Sequence, residues 1–284
     1  MQTTEHWDLI IKPKSKWYDI DLKALWRYKD LLMLLVRRDF VAVYKQTILG
    51  PLWLFIQPVL TSITFTFIFG QIAKISTDGN PPILFYMAGI TLWTYFADCL
   101  NKTSNTFIAN AGVFGKVYFP RLIIPLSVLV SNLIKLGIQL AIFLVIWLYY
   151  LNSSNNAVHP QWQYIWMIPI LIFMMAGLGL GFGILISALT TKYRDLTFLV
   201  GFGVQLMMYA SSVVLPISTM SHNVKTIMLL NPLTSIIEAF KFIFLGSGSF
   251  EALWLFYGFG FMIILVGIAI IVFNKVEKSF MDTV

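Results

Sequence analysis

The chain contains 284 residues, of which 58% are hydrophobic and 12% are charged. A soluble domain is about half apolar and about a quarter charged, so this composition excludes an ordinary soluble protein and predicts a membrane protein. The formal net charge is +7, and nine of the 20 basic residues precede position 51. That excess predicts a cytoplasmic segment at a membrane surface and no nucleic-acid partner.

Residues 1–50 are predicted to form a cytoplasmic tail followed by an amphipathic interface helix. Residues 22–48 mix apolar positions with Arg37, Arg38 and Lys45, which is too much charge for a membrane span. A helix of this kind lies at the inner membrane interface. The alternative is a soluble helix packed on a partner protein, and one helix could do both.

Residues 51–284 are predicted to form an all-α domain with six transmembrane helices. A helix needs about 20 apolar residues to cross the hydrocarbon core, where a bare backbone finds no hydrogen-bonding partner. Six stretches qualify, at residues 52–72, 83–100, 122–151, 165–189, 198–215 and 252–273. With both termini inside, the inner segments hold 16 basic residues and the outer segments hold three, which predicts cytoplasmic termini.

The segment between the fifth and sixth spans, residues 217–250, is too apolar for an ordinary loop. Its two short apolar stretches are separated by Asn231-Pro232 and end at Gly246. Stretches of about ten residues are too short to cross, so the pattern predicts a re-entrant helical hairpin that enters from outside. A seventh span is the alternative, and it would place the carboxyl terminus outside, against the charge distribution.

Catalytic and nucleotide-binding motifs are missing from the sequence. His6, His159 and His222 lack metal-ligand spacing, and no G-x-x-x-x-G-K-[ST] string occurs. We therefore expect no catalytic residue, no metal and no cofactor in this chain. The glycine-rich run at 177–183 lies inside an apolar span, where it predicts close helix packing rather than a dinucleotide loop.

Four ionisable residues fall at membrane depth. They are Asp98, Lys135, Glu238 and Lys241. Such residues are costly in lipid and are functional candidates by default. Glu238 and Lys241 are three residues apart, so a local pair on one helical face is the simple interpretation. A secondary transporter would need several deep acidic groups, which this pattern does not offer.

Four sequence blocks, in order, carry a resemblance to a known family. They are YKQTILGPLWLFIQP at 44–58, VYFPRLIIPLS at 117–127, TKYRDL at 191–196 and LNPLTSIIEAFKFIFLG at 230–246. These blocks resemble the ABC-2 type transporter permeases that export polysaccharides such as O-antigen and teichoic acid. The resemblance extends from about residue 22 to the end of the chain.

The resemblance implies a homodimer of six-span subunits in the bacterial inner membrane. It also implies two copies of a separate ABC ATPase subunit, which would bind ATP and magnesium, and a lipid-linked glycan as cargo. Two other functions stay open. One is an ABC-2 exporter of small hydrophobic drugs or lipids, and the other is a membrane glycosyltransferase, for which the sequence offers no catalytic cluster.

Two groups of residues are candidates for the transport mechanism. Charged residues of the inner segments could couple the ATPase to the membrane domain; they are Arg37, Arg38, Asp39, Lys116, Arg121, Arg194 and Asp195. The alternative role of each is to orient the protein and contact headgroups. Aromatic residues could stack on sugars along a channel between protomers, with Trp53, Tyr95, Tyr209 and Phe240 as candidates. Aromatics that anchor span ends or pack between helices are the alternative.

Overall fold

The computed structural model describes residues 22–45, 50–114, 119–153, 158–191, 193 and 195–280. Within these ranges the regular elements are all helical, which confirms the all-α fold class. The helices are α1 (Leu22–Arg27), α2 (Lys29–Tyr44), α3 (Trp53–Phe65), α4 (Pro82–Ser104), α5 (Thr106–Phe114), α6 (Ile123–Asn152), α7 (Ile168–Thr190), α8 (Leu196–Tyr209), α9 (His222–Leu230), α10 (Pro232–Leu245) and α11 (Ala252–Phe280).

Five helical segments among the described residues are long and apolar enough to cross a membrane. They are Trp53–Ile72, Pro82–Ser104, Ile123–Asn152, Trp162–Thr190 and Ala252–Val276. The first continues α3 through a π-helix at Thr66–Ile72, and the fourth begins with a 3₁₀ turn before α7. These segments correspond to five of the six apolar stretches expected from the sequence.

Helix α4 is the central helix of the bundle and packs closely against α7. A Cβ atom at Gly179 would lie 2.8 Å from Cys99 Cβ, and one at Gly183 would lie 2.6 Å from Thr103 Cβ. Gly177 and Gly181 turn the other way and meet Met262 and Leu265 of α11. The glycine-rich run therefore packs helices on two faces, as its small-residue spacing predicts.

The fifth predicted span, 198–215, is a shorter helix than expected. Helix α8 ends at Tyr209, and its 14 residues make a rod of about 21 Å at 1.5 Å per residue. A Cβ atom at Gly89 would lie 3.1 Å from the Val213 Cα, and the amino-terminal half of α8 lies near Leu100. The segment from α8 to Val213 therefore runs antiparallel to α4, with a non-helical end.

The segment predicted to be re-entrant contains a bent helix pair. Helices α9 and α10 meet at 105° at Asn231, whose side chain accepts a hydrogen bond from the Leu233 N–H. Both ends of the pair lie at one face of the bundle. Ser218 donates to Asp78 before α4, Lys225 pairs with Glu251 before α11, and the Gln161 N–H donates to the Ile243 carbonyl. These contacts favour a hairpin that returns to its side of entry over a broken span.

Helix α2 is fixed to the opposite end of the bundle. Its Leu35 belongs to a buried apolar cluster with Phe107, Phe119, Ile123 and Phe273. The rings of Phe107 and Phe273 stack with centroids 4.8 Å apart. This cluster therefore packs α2 against α5, α6 and α11 at one end of the bundle.

Candidate transport path and coupling surface

Lys241 is the centre of a buried polar node on α10. Its side chain is buried, and its Nζ donates a hydrogen bond to the Ser212 carbonyl oxygen just beyond α8. The same Nζ lies 3.5 Å from the centroid of the Phe85 ring on α4. A buried ammonium needs such partners because desolvation is costly. Lys241 thus links α10 to the non-helical end of α8 and to α4.

Glu238 completes this node. Its Oε1 lies 3.8 Å from Lys241 Nζ, so the local pair expected from the spacing is present. Its Oε2 accepts a hydrogen bond of 3.2 Å from the Ser249 N–H in the segment before α11. The sequence spacing identified the pair, whereas Ser212, Phe85 and Ser249 are distant in sequence and could not be inferred.

A second polar contact connects α4 and α6. Lys135 Nζ lies 2.7 Å from Asp98 Oδ2, and both side chains are about three-quarters buried. One turn further along α4, Lys102 donates to the Asn132 amide oxygen over 2.9 Å. The sequence does not pair Asp98 with Lys135, because helical spacing does not reveal which two helices face each other.

The four aromatic candidates for the channel divide into two pairs. Trp53 and Tyr209 are 46% and 47% exposed, whereas Tyr95 and Phe240 are buried within the protomer. Phe240 packs between Phe143 and Phe244, with ring centroids 5.7 Å and 4.8 Å away. In this conformation Tyr95 and Phe240 have no free face for a sugar, so only Trp53 and Tyr209 stay candidates for stacking.

The exposed faces of α3 and α8 also carry amide side chains that are not among the candidates from the sequence. On α8 the residues Phe198, Phe202, Gln205 and Tyr209 are exposed at helical spacing. On α3 the exposed row is Trp53, Gln57, Leu60 and Thr64. Polar groups at membrane depth are costly against lipid. Their i, i+4, i+7 spacing with the aromatic residues is the signal that could have identified these faces.

An apolar groove lies on the opposite side of α8. Its lining includes Leu100, Phe182, Ile186, Val200, Gly203 and Met207, and it has a volume of about 280 Å³. We call it the α8 groove. All ten of its lining residues are apolar. Helix α8 therefore has an aromatic and polar face on one side and the apolar α8 groove on the other.

The coupling candidates lie mainly at the end of the bundle that carries α2. Arg37, Arg38 and Asp195 are exposed, and Arg38 Nη2 pairs with Asp39 Oδ1 at 2.8 Å. Arg121 is buried, with its guanidinium 5.2 Å from the Phe114 ring centroid. Lys116 and Arg194 lie outside the described residues. The accessible charges are thus on α2 and before α8, while Arg121 stabilises the cluster beneath α2.

Potential metal ligands do not cluster in the described part of the chain. No group of three or more His, Cys, Asp or Glu side chains is arranged there to hold a metal ion. The described ion pairs instead join two helices, as Lys135 and Asp98 do, or lie within one helix, as Glu238 and Lys241 do.

A bundle of long apolar helices defines a multi-pass membrane protein. Residues 30–245 match the family model for ABC-2 type transporters, so the chain belongs to the ABC-2 type transporter family. Two O-antigen export system permease proteins RfbA of Klebsiella pneumoniae are 29% and 28% identical over 254 residues, covering 89% of this chain and 94% of each relative. The O-antigen export system permease protein RfbA of Myxococcus xanthus is 26% identical over 225 residues, covering 78% of this chain and 83% of that protein.

Proposed function

We propose that this chain is the permease subunit of an ABC transporter that exports a lipid-linked polysaccharide of the O-antigen type. Its similarity to the three RfbA permeases supports this function because it covers most of each protein. The structural observation that carries the proposal is the pair of faces on α3 and α8. Each combines at least one exposed aromatic ring with an exposed amide at membrane depth, which suits a hydrated path for sugars.

The path is proposed to run between two copies of this chain. Stacking on Trp53 and Tyr209 would guide sugars without holding them, because conduction requires contacts that break easily. A continuous channel also suits a long polymer better than a small alternating-access pocket, which would have to release the polymer partway along its length.

The energy is proposed to come from two copies of a separate ABC ATPase subunit that binds ATP and magnesium. This chain carries no phosphate-binding loop in its sequence. The exposed charges of α2 and Asp195 are the proposed docking points, and the cluster around Phe107 and Phe273 would transmit their displacement to the spans. The excess of inner basic residues supports a position in the bacterial inner membrane with both termini cytoplasmic.

Deletion and complementation in the native cell test the function. Without this chain, surface glycan should disappear and the lipid-linked glycan should accumulate inside the cell, and the wild-type gene should reverse both effects. Unchanged surface glycan combined with new sensitivity to small hydrophobic compounds would instead identify a drug or lipid exporter.

Topology and coupling have separate tests. A cysteine at Ser218 should react with an impermeant maleimide in whole cells, while one at Thr283 should react only after lysis. Replacing Arg38 with Ala should reduce export-linked ATP turnover, and Tyr149→Ala on an exposed part of α6 is the control. Reaction of the cysteine at position 283 with maleimide in intact cells would refute the proposed orientation. Export-linked ATP turnover equal to that of the wild type in Arg38→Ala would exclude α2 from the proposed docking surface.

A further inference from the structure

We propose that the buried polar node on α10 is a binding site for water, in which one water molecule bridges the side chains of Lys241 and Glu238 and also contacts the Ser212 hydroxyl. The site belongs to the bent helix pair and its supports, so it is independent of which cargo the chain transports.

Several polar atoms of the node have no partner within the protein. Four side-chain oxygens are buried and make no hydrogen bond to any described residue; they are Glu238 Oε1, Ser212 Oγ, Thr234 Oγ1 and Ser249 Oγ. Leaving a buried polar atom unpaired costs about 1–3 kcal/mol. Folded proteins satisfy most such atoms, and ordered water does so where no protein group is available. Unpaired oxygens grouped in this way therefore point to a bound molecule.

These oxygens lie around the space between Lys241 and Glu238. The residues Thr234, Glu238 and Lys241 follow each other at i, i+4 and i+7, so they share one face of α10. The Ser212 hydroxyl lies near the Glu238 carboxylate, and the carbonyl of the same serine accepts a hydrogen bond from Lys241. Because the Ser249 N–H donates to Glu238 Oε2 over 3.2 Å, its hydroxyl is beside the same carboxylate.

The distance between the two charged groups suits a bridging water. Lys241 Nζ and Glu238 Oε1 are 3.8 Å apart, which is too long for a direct hydrogen bond. Contacts beyond about 3.5 Å are commonly completed by a water molecule, and a water oxygen at about 2.8 Å from each atom spans this distance. The ammonium has three N–H groups. One donates to the Ser212 carbonyl and the Phe85 ring lies beside the group, so a further N–H is available to the water.

The charges of the node select a neutral molecule. A metal cation between these groups would lie within about 4 Å of the Lys241 ammonium and be repelled by it. An anion would be repelled by Glu238 and by Asp78, which is close enough to act electrostatically on both members of the pair. An apolar molecule would leave the oxygens unpaired. Water is neutral and both donates and accepts hydrogen bonds, so it satisfies a carboxylate, a hydroxyl and an ammonium together.

A bridging water also explains how three segments meet at α10. Ser212 belongs to the segment after α8, and Ser249 belongs to the segment before α11. Ser247, two residues before Ser249, accepts a hydrogen bond from the Asn80 amide in the segment before α4. The bent helix pair is thus held by a hydrated contact and not by a direct ion pair. The polar groups at Asn80 and Ser247 connect the site to the face of the bundle that carries Asp78.

The test is X-ray radiolytic footprinting of the full chain in nanodiscs, with oxidised residues mapped by mass spectrometry. Hydroxyl radicals formed from a bound water oxidise the side chains beside it, even where bulk solvent has no access. The reporter is the Phe85 ring, which is 1% exposed and has Lys241 Nζ 3.5 Å from its centroid. The control ring is Phe143, which is equally buried but packs on Phe240 and Phe244. We expect the reporter to be oxidised at least about fivefold faster than the control ring, because only the reporter adjoins the polar site.

Two serine variants locate the source of the radicals. Ser212→Val replaces the hydroxyl with methyl groups and keeps the backbone carbonyl that binds Lys241, so it should slow oxidation of Phe85 to the rate of the control ring. Ser211→Val is the matched variant, because Ser211 is equally buried and its hydroxyl already donates to the Met208 carbonyl. Oxidation of the reporter should keep its wild-type rate in Ser211→Val. Thermal unfolding of both variants verifies that each is folded.

Two results would overturn the proposal. The first is equal oxidation of Phe85 and Phe143 in the wild-type protein, which would show that the node is dry. The second is an equal loss of Phe85 oxidation in the two folded serine variants, which would show that the radicals do not come from a water at the Ser212 hydroxyl. The wild-type comparison decides the question by itself if either variant fails to fold.

Discussion

The Lys241 Nζ on α10 donates a hydrogen bond to the Ser212 carbonyl oxygen, three residues after α8 ends. A carbonyl beyond the end of a helix has no intrahelical partner, and within a membrane it needs one from elsewhere in the protein. The lysine therefore stabilises the non-helical end of α8 and holds the α9–α10 hairpin against it. Glu238 and the Phe85 ring balance the buried charge.

Replacing Lys241 with Met should destabilise the protein strongly. The change leaves Glu238 buried without its ion-pair partner and the Ser212 carbonyl without a donor, and breaking a buried pair costs about 3–5 kcal/mol. Thermal unfolding of the detergent-purified protein measures the loss. The control is Lys225→Met, which breaks the more exposed pair with Glu251 and should cost at most about 1 kcal/mol.

The double variant Glu238→Gln/Lys241→Met should recover part of that stability, because it removes the uncompensated carboxylate. If the double variant unfolds at a lower temperature than Lys241→Met alone, the two charges do not balance each other as described.

Replacing Gly183 with Ala should reduce the amount of folded protein in the membrane. The added methyl would lie 2.6 Å from Thr103 Cβ and 3.1 Å from the Leu100 carbonyl oxygen, so α7 would have to move away from α4. Gly137→Ala on the exposed face of α6 meets nothing within 4 Å and should be neutral or stabilise by up to about 1 kcal/mol. Fluorescence-detected size-exclusion chromatography compares the two, and equal yields would contradict the close α4–α7 contact.

Exchanging the charges of Asp98 and Lys135 should be tolerated better than neutralising either one. Asp98→Asn leaves the Lys135 ammonium partly buried without its carboxylate partner. Lys135→Met leaves the Asp98 carboxylate partly buried without its ammonium partner. We expect each single variant to lower the melting temperature and Asp98→Lys/Lys135→Asp to recover part of the loss. Additive losses in the double variant would show that the 2.7 Å contact contributes little to stability.

Alanine at the four aromatic candidates should give two different phenotypes. Trp53→Ala and Tyr209→Ala remove exposed rings, so surface glycan should decrease while protein abundance and ATP turnover stay normal. Phe240→Ala creates a cavity beside Phe143 and should cost about 3–5 kcal/mol, which lowers abundance. Tyr95→Ala should behave like Phe240→Ala because Tyr95 is also buried.

Immunoblotting and glycan staining of the same cultures separate these two phenotypes. Normal export in both Trp53→Ala and Tyr209→Ala would exclude the exposed rings of α3 and α8 from the path. Full abundance of Phe240→Ala would show that its buried ring contributes little to packing.

The sequence by itself determined the membrane class, the all-α fold and most helix positions, because hydropathy depends on the length of each apolar run and not on its neighbours. The bounds of α6, Ile123–Asn152, lie within one residue of the stretch expected. The bend at Asn231-Pro232 and the end of α10 at Gly246, with φ +74°, likewise follow from local chemistry.

Tertiary structure alone decided which faces of these helices meet. Hydropathy could not show that α8 ends at Tyr209. The chain leaves the helix there with the Ser212 carbonyl accepting a hydrogen bond from Lys241, which lies 29 residues later in the chain. Aromatic content likewise could not separate Phe240, which is buried, from Tyr209, which is exposed, since both side chains suit a core or a path. The partner of each side chain depends on how the helices pack, and contacts between residues distant in sequence leave no local pattern.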